Sequence, residues 1–269
     1  MMKTHEHEGT NNDASVSFNT DAKIWRYIDL AKFVALLSKR SLFLTRLDNL
    51  SDPIEGRGTS NDHAMWKLMD DIGHPPEEIG KHTDTSLQDG FLRQIKLVRE
   101  SMYVSCWHIS ENESAGMWAS YASMDKGIAI QSTIRRLQAV LSNSERQIHI
   151  SKVAYIDRAI QTTSSNNLFG LGLTKGNFYA YENEIRAFYF HFSEDRRYDA
   201  GAGHRVMSSE NNIKYGFNIP IDIDLLIETV YISPMAPTWF LEIVESLSET
   251  YNLTDVKNKV RYSVMREDM

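Results

Sequence analysis

The sequence predicts a single α+β domain in which helices flank a mixed, mostly antiparallel sheet. Three observations carry this expectation. Short runs rich in aromatic and β-branched residues recur along the chain, as strands do. Between them lie stretches with apolar residues at helical spacing, but the two kinds do not alternate strictly enough for a doubly wound sheet. No repeat and no clear linker divides the 269 residues, a length that suits one large domain or two small ones.

Residues 1–20 are polar and without periodicity, so a disordered tail is expected ahead of a domain at 21–269. KIWRYI (23–28) reads as an aromatic strand. Asp29 is a good N-cap for the helix that follows, with apolar residues at 30, 33, 34, 36 and 37. LFLTRLDNLSDPIEG reads as a short strand entering a loop, with Pro53 and Gly56 as breakers. Residues 61–71 and 86–100 predict helices around a polar insert that holds two prolines. MYVSCWHIS (102–110) predicts a buried strand, 113–123 a short helix and 126–133 a strand. TIRRLQAVL predicts a helix and 149–158 a strand; QTTSSNNLFGLGLTKG is expected to be flexible. YENEIRAFYF (181–190) reads as a strand and 193–212 as a surface loop. A strand LLIETVYISP, a helix opened by Pro237 and a last strand VRYSVM complete the reading.

Composition narrows the function classes. The net charge is −7 and the pI about 5.7, the wrong sign for a general phosphate-backbone binder, so non-specific nucleic-acid binding is not expected. Cys106 is the only cysteine, which excludes an intrachain disulfide and a Cys-rich zinc site. No apolar run approaches the roughly 18 residues of a membrane span, and the polar N-terminus lacks an apolar signal region. A soluble, cytoplasmic protein of a reducing compartment is the expectation.

The strand YENEIRAFYF carries the chemistry. In an extended strand, residues two apart share a face, so Glu182, Glu184 and Arg186 would point the same way as Phe188 and Phe190. Two readings fit. The charges form an exposed strand end where a Glu–Arg pair offsets carboxylate repulsion, worth about 0–1 kcal/mol. Alternatively they open into a cleft as working groups. Arg26 has the same ambiguity, between an ion pair with Asp52 or Glu55 and a ligand contact. Trp107, Trp118 and Tyr121 fit the core as well as ring platforms, Trp118 and Tyr121 sharing a helix face at i, i+3. Cys106 and His108 share a strand face, but no third group is identifiable to orient a dyad. GLGLTKG has Gly and Lys at the wrong spacing for a phosphate-binding loop.

Four motifs occur in order: Arg26-Tyr27, Ser51-Asp52-Pro53-Ile54-Glu55, Met117-Trp118-x-x-Tyr121 followed by Gly127, and Tyr181-Glu182-x-Glu184-x-Arg186. Together, across roughly 23–235, they resemble the bacterial family called domain of unknown function 2971, with Ser51 standing where that family has Asn. The family name implies no activity. More distantly, Arg26, Ser105 and Glu182-x-Glu184 are similar to the Arg-Ser-Glu type of ADP-ribosyltransferase, although Ser105-Cys106-Trp107 keeps only the first residue of the usual Ser-Thr-Ser.

That second resemblance implies a split β-sandwich and NAD as substrate, with a macromolecular acceptor or water, in a toxin or antiphage setting. It implies Glu184 as the carboxylate that accepts a ribose hydroxyl hydrogen bond and stabilises developing positive charge. Glu182 would orient or deprotonate the nucleophile. Arg26 would hold pyrophosphate or ribose, with Tyr27, Ser105 and Arg186 among the NAD contacts. Trp107, Trp118 or Tyr121 would stack on a ring. Two alternatives remain open: a Mg²⁺-dependent nuclease or phosphoesterase using Asp52, Glu55, Glu182 and Glu184, and a non-catalytic nucleotide- or protein-binding module.

Overall fold

A computed structural model describes residues 19–73, 87–163, 169–191, 197–199, 204–206 and 213–266. The expected disordered tail, apart from its last two residues, and the two-proline insert lie outside the described residues. Aromatic and β-branched alternation makes Lys23–Asp29 the first strand, β1, with Trp25 and Tyr27 on one face and Ile24 and Ile28 on the other. Asp29 caps α1 (Leu30–Lys39) by accepting from the Lys32 amide at 2.8 Å. α1 buries Phe33, Leu36 and Leu37 and returns the chain to β2 (Ser41–Arg46).

A loop follows, then α2 (Ser60–Gly73) and α3 (Leu87–Ser101), which leads without a break into β3 (Met102–Ile109). After it come α4 (Ala115–Tyr121), β4 (Gly127–Thr133) and α5 (Ile134–Leu141).

The sequence at 149–158 reads as one strand, but it forms two: β5 (His149–Lys152) in the main sheet and β6 (Ala154–Ile156) in a small one. β6 pairs in parallel with β7 (Thr174–Gly176), inside the segment expected to be flexible. YENEIR also divides. Asn177–Glu182 is a 3-10 turn, Asn183 takes a left-handed conformation at φ 37°, and β8 spans Glu184–Phe190. Asn tolerates that conformation better than most residues. The expected loop at 193–212 contains a hairpin of β9 (Arg197–Asp199) and β10 (His204–Val206).

β11 (Gly216–Pro220) was not evident in the sequence, and α6 (Ile223–Leu226) occupies the front of the segment read as a strand, leaving β12 as Thr229–Ile232. Pro237 stands at the N-cap of α7 (Thr238–Thr250). α8 (Val256–Lys259), β13 (Val260–Tyr262) and a 3-10 turn at Val264–Arg266 end the described chain.

The α+β class expected from the sequence is what forms. The main sheet has nine strands, antiparallel except for the parallel pair β12–β13. Its organising feature is β3. One edge pairs with β8 along the whole strand, from Met102 opposite Phe190 to His108 opposite Glu184. The other edge is shared: β1 pairs with Ile109 and His108, and β2 with Val104 and Tyr103. Ser105, Cys106 and Trp107 therefore have no ladder partner on that edge, and the sheet forks there. β1 and β2, both antiparallel to β3, diverge across this fork and are joined by α1.

The core is layered accordingly. The largest apolar cluster joins α1, α5 and α7 to one face of the sheet; a second packs α3 on Val104, Phe188 and Phe190; a third holds Trp25, Tyr27, Met117 and Trp118. Leu37, 1 % exposed, anchors α1 across the fork. Leu37→Ala is expected to cost about 2–5 kcal/mol, read as a lowered urea midpoint.

Candidate functional site

The fork opens into a cavity of about 340 Å³, at the small end of the roughly 300–1,000 Å³ usual for ligand pockets. Residues from four distant segments meet in its wall: Arg26 and Tyr27 of β1, Asp52 and Glu55 of the loop after β2, Tyr121 at the end of α4, and Glu182 and Glu184. All four sequence motifs thus converge on one space. Trp25, His108 and Glu184 stand in register across β1, β3 and β8; adjacent strands lie about 4.8 Å apart, which sets the backbones of β1 and β8 about 10 Å apart here. Alternation would put Arg26 and Glu184 on opposite faces. Because β1 peels away after Trp25, the cavity collects side chains from both.

The carboxylates are held from below by a buried ion network. Arg186, fully buried, donates from Nε to Glu184 Oε1 at 2.6 Å, from Nη2 to Glu55 Oε1 at 2.5 Å and from Nη1 to the Gly172 carbonyl at 2.6 Å. Lys175 Nζ donates to Glu182 Oε2 at 2.6 Å and Glu184 Oε2 at 3.0 Å, with Glu55 Oε2 at 3.6 Å. Tyr121 donates its hydroxyl to Glu182 Oε1. Each of the three glutamates is under 5 % exposed. Two cations thus face three carboxylates, and the cluster carries a formal charge of −1. Gly172 is required for close approach, since a Cβ there would meet Met102 Sδ at 2.2 Å.

Burial opposes ionisation of Glu184, but Arg186 and then Lys175 outweigh it and hold the carboxyl at about 2. Burial likewise disfavours the Lys175 ammonium, and Glu184 and Glu55 reverse the effect and raise it. Cys106, whose thiol bonds Glu184, is pushed well above its usual range by burial first and by Glu184 second. It is a neutral, weak donor rather than a nucleophile. His108 Nδ1 lies 2.5 Å from the Glu182 carbonyl. A carbonyl can only accept, so Nδ1 carries the proton.

Arg26 differs from these groups. It has no hydrogen bond or ion pair among the described residues; its guanidinium lies 5.8 Å above the Trp107 ring, and burial lowers its pKa. A half-buried, unpaired guanidinium in a cavity wall offers a planar fork suited to an anionic group.

Of the residues singled out in the sequence, Arg26, Tyr27, Trp107, Tyr121, Glu182 and Glu184 line the cavity. Three do not. Ser105 is buried and accepts from Trp107 Nε1 at 3.2 Å. Trp118 lies fully in the core, edge-on to Tyr27, with its indole donating to Glu113. Arg186 is the floor that fixes Glu184. The carboxylates do not open onto an exposed strand edge, since β8 is flanked by β3 and β5. Tyr121 lines the cavity with its hydroxyl engaged on Glu182 and its ring partly exposed.

The sequence reading missed Lys175 and Tyr179, whose ring lies 5.2 Å from the Lys175 ammonium. Lys175 is the only charged residue in QTTSSNNLFGLGLTKG, and a lone charge in an apolar, glycine-rich segment calls for a buried counter-charge. No cluster suited to a metal ion occurs among the described residues. Lys175 and Arg186 already fill the seats between the carboxylates. No helix there is long and apolar enough to cross a membrane. Comparisons with protein-family models, curated proteins and solved structures return no match.

Glu184 ionises well below its ordinary 4.5, so its charge stabilises the fold fully above that value and the contribution is lost as pH falls toward 2. Urea midpoints between pH 6 and 2 should fall more steeply in this window for the wild type than for Glu184→Gln. Equal slopes would mean that the network does not hold Glu184 charged.

Proposed function

We propose that the chain cleaves the nicotinamide–ribose bond of NAD, passing ADP-ribose to a macromolecular acceptor or to water. The observation that carries this reading is the charge pattern of the cavity. The cluster of charge −1 around Glu182 and Glu184 and the unpaired Arg26 guanidinium line the same cavity, together with Lys32 and Asp52. NAD has the complementary pattern, a cationic nicotinamide ring and an anionic pyrophosphate. The distant resemblance to Arg-Ser-Glu ADP-ribosyltransferases supports the same assignment through Arg26 and Glu184, while Ser105 stands outside the cavity.

In this reading Arg26 pairs with the pyrophosphate in its planar fork. Glu184, charged and fixed by Arg186 and Lys175, faces the ribose carbon on which positive charge develops as nicotinamide leaves with the bonding electrons. A ribose hydroxyl displaces the weak Cys106 thiol from the Glu184 carboxylate, exchanging a poor donor for a good one. Glu182, held by Lys175 and Tyr121, takes the proton of the attacking acceptor hydroxyl or water. Preorganisation of both carboxylates by buried cations keeps them in place without rearrangement at the moment of reaction.

A second reading, a nucleotide-binding module without turnover, is favoured by one observation. The three buried glutamates of the cavity, Glu55, Glu182 and Glu184, are already ion-paired, as in a purely structural network.

Nicotinamide release from NAD, measured with a cell lysate as acceptor source, separates the two. The wild type should release nicotinamide. Arg26→Gln should raise KM at least tenfold without lowering Tm, because Arg26 has no ion pair to lose. Glu182→Gln should lower kcat by about 10²–10⁴-fold. NAD binding without release would favour the binding module, and neither binding nor release would remove both readings.

A further inference from the structure

A second cavity, of about 320 Å³, adjoins the first and shares Arg26, Ile28, Lys32 and Thr45 with it. It lies in the same fork, between α1 and the part of β2 that has not yet joined β3. Its construction is regular. Lys32, Ala35 and Lys39 recur at i, i+3 and i+7 on one face of α1, so the smallest side chain sits between two ammonium groups. Opposite them, Ser41, Phe43 and Thr45 alternate along one face of β2. Phe43 is an aromatic ring 38 % exposed in mid-strand. Its cross-strand neighbour Asn218 accepts from the Ser41 hydroxyl through Oδ1 at 3.1 Å, leaving its amide nitrogen without a hydrogen-bond partner among the described residues.

No carboxylate lines this cavity. Lys39 has no ion pair among the described residues, and Lys32 is held only by the exposed Asp29 at 2.9 Å. The ligand chemistry follows from the arrangement: anionic groups at Arg26 and Lys32, a planar ring against Phe43, and ring-edge polar atoms beside Asn218. Each cavity alone is at the small end of the usual range for a ligand pocket.

We propose that this second cavity binds the adenosine–phosphate half of a pyrophosphate-bridged dinucleotide, with Arg26 at the junction holding the bridge. The inference rests on the NAD reading for its substrate, but the site itself is tested without turnover. Ala35 is solvent-facing, so Ala35→Phe fills the cavity without disturbing the core, and an unchanged Tm checks this. In calorimetry, ADP should bind the wild type at least tenfold more tightly than inorganic pyrophosphate. Ala35→Phe should weaken ADP at least tenfold and leave pyrophosphate unchanged.

ADP binding that is absent, no tighter than pyrophosphate, or insensitive to Ala35→Phe would overturn the proposal. If NAD were cleaved in that case, the cleavage reading would survive alone. If ADP behaved as expected but no nicotinamide were released, the nucleotide site would stand and the cleavage reading would fall.

Discussion

The ion network of Glu55, Arg186, Glu184, Lys175 and Glu182 is the constraint on which the site depends. It joins the loop after β2, the strand β7, the 3-10 turn at Asn177–Glu182 and the strand β8, and Tyr121 extends it to α4. Networks of this kind are not economical stabilisers, because desolvating each ion costs several kcal/mol before pairing returns anything. Well-packed hydrophobic residues would often do as well for stability. What such residues could not supply is a carboxylate kept charged well below the usual carboxylate range, at the edge of a cavity, with its orientation fixed by a buried guanidinium.

The fork in the sheet supplies the space. β3 cannot pair with β1 and β2 over the same residues, so the two strands divide its edge and leave Ser105, Cys106 and Trp107 without ladder partners there. A closed ladder would have put Arg26 and Glu184 on opposite faces of a flat sheet. Divergence lets both reach one cavity, and α1, which must bridge the two strands, lays its Lys32–Lys39 face along the opening. The convergence of these side chains at a strand divergence therefore follows from the same topology that interrupts the ladder.

Much of this was legible in sequence, for definite reasons. β1, α1, β3, β4, α5 and α7 have long, regular patterns, and periodicity reads them to within a few residues. The four motifs that meet at the cavity were visible because charged and aromatic residues stand where core strands should be apolar. What failed was non-local. The break after Lys152 arises because β5 pairs with β8 whereas β6 leaves for β7, a choice of partner that local periodicity does not encode. β11 is five residues long and ends in Pro220, too short and too polar to announce itself. Asn183 was the available sign that YENEIR turns before it extends. Lys175 was read against a phosphate-loop pattern, when its isolation in an apolar segment pointed to a buried partner.

The most direct test of the account is a crystal structure of the protein with ADP-ribose. The diphosphate should lie within hydrogen-bond reach of the Arg26 guanidinium, the adenosine between Phe43 and Ala35, and the terminal ribose beside Glu184. ADP-ribose bound elsewhere, or in the cavity with Arg26 unengaged, would contradict the claim that the fork is a dinucleotide site.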